Sequence, residues 1–104
     1  IHPALPHHPE HALWKRDFSG SSGLFAFTFK QHYSIPELAR FIDSLDLFGL
    51  GYSWGGYKSL LSAARQKRRT PSIYSGKTII RLNIGLENPE DLILDLERGL
   101  SMLP

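Results

Sequence analysis

Residues 78–100, Thr-Ile-Ile-Arg-Leu-Asn-Ile-Gly-Leu-Glu-Asn-Pro-Glu-Asp-Leu-Ile-Leu-Asp-Leu-Glu-Arg-Gly-Leu, hold two periodicities side by side. From Thr78 to Ile84 the period is two: Ile80, Leu82 and Ile84 line one face, and Ile79, Arg81 and Asn83 the other. That alternation predicts a strand with one apolar side. From Asn88 onward the period becomes helical. Asn88 takes the N-cap, Pro89 the first helical position, and Asp91 stands three residues after the cap. Glu90 and Asp91 suit the positive end of the helix dipole. Leu92, Ile93, Leu96 and Leu100 are the expected buried side. A strand with one oily face followed by an amphipathic helix implies a sheet covered by helices on that face.

The same two patterns occur upstream. Phe25, Phe27 and Phe29 share one face of an expected strand from Leu24 to Phe29, with Leu24, Ala26 and Thr28 on the other. Ser34 and Glu37 then form a capping box around Pro36. Ile35, Leu38, Ile42 and Leu45 recur at helical spacing, Ala39 and Phe41 widen the stripe, and Gly49 is the expected left-handed cap. Leu50 to Trp54 reads as a short strand ahead of Gly55-Gly56, Tyr57 to Ala64 is ambiguous, and Arg65 to Lys77 reads as a basic surface loop. Pro3, Pro6 and Pro9 forbid a regular helix or central strand over residues 1–11, and residues 19–23 read as a turn. The fold class that follows is α+β, a small, mostly antiparallel sheet with two helices on one face. Residues 1–23 are expected to be an extended lead-in and loop, and residues 24–104 the small α+β domain. The sheet face carrying Arg81 and Asn83 is left without a cover.

A length of 104 residues with 41% hydrophobic composition suits one domain with a real core and excludes a wholly disordered chain. Twelve Lys and Arg against ten Asp and Glu leave +2, too weak a field to demand nucleic acid or an acidic membrane as partner. The absence of Cys excludes a disulfide, a thiolate nucleophile and Cys-ligated zinc within these residues, and fits the cytoplasm best. No apolar run reaches membrane-spanning length, and no charged-then-apolar leader is present. The opening Ile1, where Met would stand, points to a cut, processed or partial chain.

Four features are candidates for chemistry. Gly51-Tyr-Ser53-Trp-Gly55 matches the G-x-S-x-G nucleophile elbow, yet in such hydrolases the histidine follows the serine, and the last histidine here is His32. His2, His7, His8 and His11 cluster in sequence, but a metal site needs three or four ligands in a closed geometry, and hydrogen-bonded loop histidines are commoner. Arg65, Lys67, Arg68 and Arg69, with Tyr74 beyond, offer phosphate and stacking contacts; one such run on a nearly neutral chain is more often a solvated loop. Arg81 is the fourth. A guanidinium within an alternating apolar strand is costly unless an anion or a pocket receives it, and its planar fork matches a carboxylate bidentately. The plainer readings, commoner on pattern alone, are a salt bridge on an exposed sheet face or an edge-strand charge that discourages aggregation. Ser53 and Trp54, on a glycine-flanked turn, are candidates to lie beside Arg81; the plain alternatives are core filling for Trp54 and a turn hydrogen bond for Ser53.

Three blocks carry a likeness to a known family. His2-Pro-Ala-Leu5 with His7, His11 and Trp14 through Phe27 form the first, Tyr52-Ser-Trp-Gly-Gly-Tyr-Lys-Ser-Leu60 the second, and Ile80-Arg-Leu-Asn-Ile-Gly-Leu-Glu-Asn-Pro-Glu-Asp-Leu92 the third. Together they resemble the C-terminal domain of cystathionine beta-lyases, within the Cys/Met-metabolism family of pyridoxal-phosphate-dependent enzymes of fold type I, aminotransferase-like. The resemblance implies that Arg81 holds the substrate's α-carboxylate, with Ser53 and Trp54 beside it and Tyr52 adjoining. Trp54, where relatives carry a smaller residue, tilts the match toward beta-lyases and away from gamma-cleaving enzymes. Lys58 departs from the glutamate commonly found there.

The implied reaction is cleavage of the β C–S bond of cystathionine to homocysteine, pyruvate and ammonia. In the resembled family pyridoxal 5'-phosphate, its Schiff-base lysine and the residues holding its ring and phosphate belong to a larger upstream domain. No catalytic, cofactor-binding or metal-ligating residue is therefore expected within this chain, which alone should be inactive. The partners implied are that N-terminal cofactor-binding domain, a small-molecule amino-acid substrate and further copies in a homo-oligomer, commonly a homotetramer, with neither nucleic acid nor membrane. Other readings are a gamma-lyase or synthase of the same family, a carboxylate- or peptide-binding module without catalysis, and a small nucleic-acid-binding domain using residues 65–69.

Overall fold

The computed structural model describes residues 2–65, 67, 69–72 and 74–104. In chain order the elements are α1 (His11–Asp17), β1 (Leu24–Thr28), α2 (Ile35–Asp43), β2 (Gly49–Leu50), β3 (Leu60–Arg65), β4 (Thr78–Asn83) and α3 (Pro89–Leu100). The sheet order is β1-β4-β3-β2, so the last strand in sequence lies inside the sheet. β4 pairs antiparallel with β1 and β3, while β2 runs parallel to β3. The small α+β fold with a mostly antiparallel sheet, expected from the sequence, is the one observed.

The alternation of β4 separates the two faces. Ile80 and Leu82 are fully buried and cluster with Leu61 of β3, Phe41, Leu45 and Phe48 from α2 and the segment after it, and Leu92 of α3. Phe27 and Ala63 flank Ile80 in register on the neighbouring strands, and Phe29 meets Phe41 edge-on at 6.1 Å. Each such side chain taken from water contributes about 1.5–3 kcal/mol, so this helix-covered face is the main source of stability.

Helix α2 starts as the sequence implies. The Ser34 hydroxyl accepts the Glu37 N–H, and the Glu37 carboxylate accepts the Ser34 N–H at 2.7 Å. Its end differs from expectation: the helix stops at Asp43, and Gly49 begins β2 and is no helix cap. Side chains draw the backbone out of the helix there. The Ser44 hydroxyl donates to the Phe41 carbonyl at 2.7 Å, and the N–H groups of Asp46 and Leu47 each donate to the Asp95 carboxylate at 2.9 Å. Leu38, Phe41 and Leu45 are buried, whereas Ile35 and Ala39 are exposed.

Helix α3 has Asn88 as N-cap, accepting the Glu90 N–H, and Pro89 in its first turn. Its buried side corrects the expectation. Leu92 and Leu96 face the core, but Ile93 and Leu100 are exposed, and Asp95 and Gly99 take buried positions. Asp95 caps the loop after α2, as above. A Cβ on Gly99 would stand 2.6 Å from Leu45 Cδ2 and 3.2 Å from Phe41, so the missing side chain lets α2 and α3 approach.

Two further segments depart from the sequence reading. Residues 11–17, expected to continue the extended lead-in, form α1. Pro9 lies ahead of its first residue, so none of the three prolines interrupts it, and Trp14 stacks on His11 one turn back at 5.8 Å. Of the expected strand from Leu50 to Trp54 only Leu50 belongs to β2, with the Gly51 N–H still donating to the Leu61 carbonyl at 3.0 Å, while the unassigned stretch after Tyr57 yields β3. Within the basic stretch, Lys67 and Arg69 are exposed, and Arg68 lies outside the described residues. Among the described residues no helix is long and apolar enough to cross a membrane.

Candidate functional site

Parallel neighbours cannot be joined by a tight hairpin; the chain must travel back along the sheet between them. Residues 51–59 make that return between β2 and β3, and β4 holds them. As the loop proceeds from Tyr52 to Tyr57, its partners advance along the chain from Arg81 to Asn83 to Leu86. Arg81 Nη2 donates to the Tyr52 carbonyl. Asn83 Oδ1 accepts the Gly55 N–H at 2.9 Å, and its Nδ2 donates to the Lys58 carbonyl at 3.3 Å. The Leu86 N–H donates to the Tyr57 carbonyl at 2.7 Å. Gly55 adopts φ +80°, a left-handed conformation for which glycine is suited.

The far end of the loop is tied by a carboxylate. Ser59 is fully buried; its N–H and hydroxyl donate to Glu87 at 2.7 and 2.6 Å, and its hydroxyl oxygen accepts the Gly85 N–H at 2.8 Å. These donations from Ser59, the hydroxyl's first, hold the Glu87 carboxyl below the usual carboxylate range. A carboxyl whose pKa is lowered by folding contributes stability above its unfolded pKa, and that contribution is lost as pH falls through the folded value. Glu87→Gln is accordingly expected to melt below the parent at pH 7, with the gap closing as pH falls below the ordinary carboxylate range and through the lowered folded value. Thermal unfolding of the two proteins across that range checks it; a gap independent of pH would contradict the assignment.

Arg81 lies on the sheet face opposite Ile80 and Leu82, with Ala26 and Ser62 in register on either side. Neither plain reading of this arginine fits its surroundings. β4 is an inner strand, so the charge guards no edge. Among the described residues the ion pairs join Arg16 to Asp17 and Arg98 to Asp46 and Asp95, and none includes Arg81. One of its five N–H donors serves Tyr52, a contact to the main-chain carbonyl, while the Tyr52 ring is exposed. Ser53 and Trp54 come next along the chain. Trp54 is 65% exposed and fills no core, and among the described residues neither side chain makes a hydrogen bond. The structure thus brings Arg81 to the backbone of Tyr52 and leaves Ser53 and Trp54 presented on the loop.

Asn83, Gly85, Glu87 and Ser59 complete this arrangement and were not singled out as site residues by sequence reasoning. The signal for Asn83, Gly85 and Glu87 is a spacing of two continuing from Arg81, Arg81-x-Asn83-x-Gly85-x-Glu87; Ser59 carries none.

The other candidates separate from this face. No helix follows Ser53 before β3 begins, so the G-x-S-x-G match lacks the strand–turn–helix of an elbow. His2 Nδ1 and His8 Nδ1 accept N–H groups of Ala4 and Glu10, and His11 Nδ1 lies 2.8 Å from the Pro3 carbonyl, all within local turns. Among the described residues no group of His, Asp and Glu is placed to hold a metal ion.

Residues 1–101 match the family model of the Cys/Met-metabolism pyridoxal-phosphate-dependent enzymes. The chain belongs to that family. It is 47% identical over 107 residues to the cystathionine beta-lyase of Escherichia coli, covering 98% of this chain and 27% of that enzyme. It is 43% identical over 107 residues to an L-alanine/L-glutamate racemase of Wolbachia pipientis, covering 100% of this chain and 27% of that one. Among solved structures, a cystathionine gamma synthase of Xanthomonas oryzae matches 96% of this chain and 27% of its own, at 31% identity with a TM-score of 0.74. The chain therefore spans about a quarter of the length of these members of the Cys/Met-metabolism family and matches their C-terminal portion.

The family implies pyridoxal phosphate. Holding it takes a sheltered lysine amine, an acid for the ring nitrogen and donors for the phosphate. Lys15, Lys30, Lys58, Lys67 and Lys77 are all exposed, and the most sheltered acid, Asp95, is occupied by backbone N–H groups and Arg98. The described residues do not fit as a cradle for that group.

Proposed function

We propose that this chain is the C-terminal small domain of a pyridoxal-phosphate-dependent enzyme acting on sulfur-containing amino acids, and that Arg81 binds the substrate's α-carboxylate. The observation that carries this reading is a guanidinium on an inner strand, with no carboxylate partner among the described residues, held by a backbone carbonyl next to exposed Ser53 and Trp54. Ser53, Trp54 and Tyr52 line the substrate side of that face. Residues 24–104 form the small domain and residues 1–23 lead to a larger, N-terminal domain that holds the cofactor, so the isolated chain is inactive. Tyr52, Trp54, Tyr57 and Leu86, all exposed around the loop, support a covering partner there. Homo-oligomeric assembly follows from the same family resemblance, and the cysteine-free composition is in keeping with the cytoplasm.

The finer reading is β elimination, which splits cystathionine into homocysteine, pyruvate and ammonia. Trp54 beside Ser53 and the 47% identity to a beta-lyase support it. A gamma-lyase or synthase is the second reading, favoured by the structural match to a gamma synthase; the nearly equal identity to a racemase shows that similarity alone does not choose the reaction. Carboxylate binding at Arg81 is common to all of them. Supplying L-cystathionine to the complete cofactor-loaded protein separates the two: pyruvate with homocysteine for β cleavage, 2-oxobutyrate with cysteine for γ cleavage. Release of neither keto acid from cystathionine would overturn the lyase reading.

A further inference from the structure

We infer that Asn83 is a positioning residue for the substrate side of this face, fixing Ser53 and Trp54 relative to the Arg81 guanidinium. The inference rests on the carboxylate reading above. Ser53 and Trp54 have no side-chain hydrogen bonds among the described residues and are exposed, so their place depends on how the backbone is held around them. Arg81 holds the residue before the pair, at the Tyr52 carbonyl, and Asn83 holds the residue after it, at the Gly55 N–H.

The chemistry of the contact selects a carboxamide. The same side chain must accept from an N–H and donate to a C=O, and Asn83 does both, to Gly55 and Lys58, while 5% exposed. Asp in its place loses the donor to Lys58. It also sets a negative charge two residues from Arg81 on the same face, about 7 Å along the strand, in competition with an incoming carboxylate. Leu in its place leaves two backbone groups without their partner and frees the loop. Ser53 and Trp54 would then drift, and a displacement of about 1 Å can cost roughly 100-fold in rate.

The test uses the complete cofactor-loaded protein and L-alanine as probe, which offers the carboxylate and amine without a sulfur leaving group. Its apparent Kd is read from the cofactor's absorbance. Asn83→Leu is expected to weaken L-alanine binding by about 10-fold and Asn83→Asp by more, with cofactor content unchanged. The share of tryptophan fluorescence owed to Trp54, taken as the difference from matched Trp54→Phe proteins, should become more open to acrylamide quenching in both variants. If Arg81→Ala weakens binding while both Asn83 variants stay within about 2-fold of the parent, the positioning role is overturned and the carboxylate reading stands. If Arg81→Ala leaves binding unchanged, the carboxylate reading itself fails. Should the Asn83 variants not fold, amide exchange in the parent decides: a protected Gly55 N–H supports the clamp, and an unprotected one overturns it.

Discussion

Arg81→Ala is expected to weaken amino-acid binding by the complete, cofactor-loaded protein by roughly 100-fold, the loss that follows from removing one side of a desolvated, hydrogen-bonded charge pair. Arg81→Lys should fall between, because a lysine keeps the charge but lacks the planar fork that meets both carboxylate oxygens. Cofactor content should be unaffected, since among the described residues no lysine or acid is arranged to hold pyridoxal phosphate. The truncation also removes the donor to the Tyr52 carbonyl, but Tyr52 is exposed and water can take that role. Titration with L-alanine, followed through the cofactor's absorbance, measures the effect, and a melting temperature close to the parent's separates recognition from folding.

Gly85→Ala is expected to cost the most stability for the fewest atoms added. A Cβ there would stand 2.2 Å from the Tyr57 carbonyl oxygen and 2.6 and 2.7 Å from the carbonyl carbons of Tyr57 and Lys58. Those are backbone atoms, which cannot rotate aside as a leucine methyl can. The Leu86 N–H bond to Tyr57 and the Gly85 N–H bond to Ser59 lie at the same crossing, so relieving the clash disturbs both. Overpacking of this kind costs about 1–3 kcal/mol. Thermal or urea unfolding should show a loss in that range, and amino-acid binding should weaken with it because the displaced loop carries Ser53 and Trp54. A variant as stable as its parent would mean that strand and loop approach each other less closely than these distances require.

Much of this fold was legible because its decisive segments follow simple periods. The alternation in β4 and the Asn88-Pro89 start of α3 each state one local preference, and nothing in the tertiary structure opposes it. The misreadings fall where a distant group intervenes. Gly49 looks like a helix cap until Asp95, far along the chain, draws the N–H groups of Asp46 and Leu47 out of the helix. Ile93 and Leu100 look buried because they are apolar, but the positions facing α2 belong to Asp95 and Gly99, whose value depends on what they touch. Strand β3 was unreadable alone; its pairing with β4 defines it.

The candidate site divides in the same way. Arg81 stood out as a charge within an apolar strand; the glycine-flanked turn already offered Ser53 and Trp54 as its neighbours, and the family resemblance added Tyr52. Asn83, Gly85, Glu87 and Ser59 were silent, because a polar residue near a strand end is ordinary until the returning loop is laid across it. The topology supplies that information: a parallel pair joined by a short return forces a loop over the uncovered face.

The most direct test of the site removes the guanidinium and the carboxylate one at a time and together. Apparent affinities of L-alanine and ethylamine, its counterpart without the carboxylate, are measured on the complete cofactor-loaded protein and on Arg81→Ala. A guanidinium that grips the carboxylate predicts that the parent prefers L-alanine by roughly 100-fold, and that the preference collapses to near unity in the variant. A preference of equal size in both proteins would show that the acid group is read elsewhere.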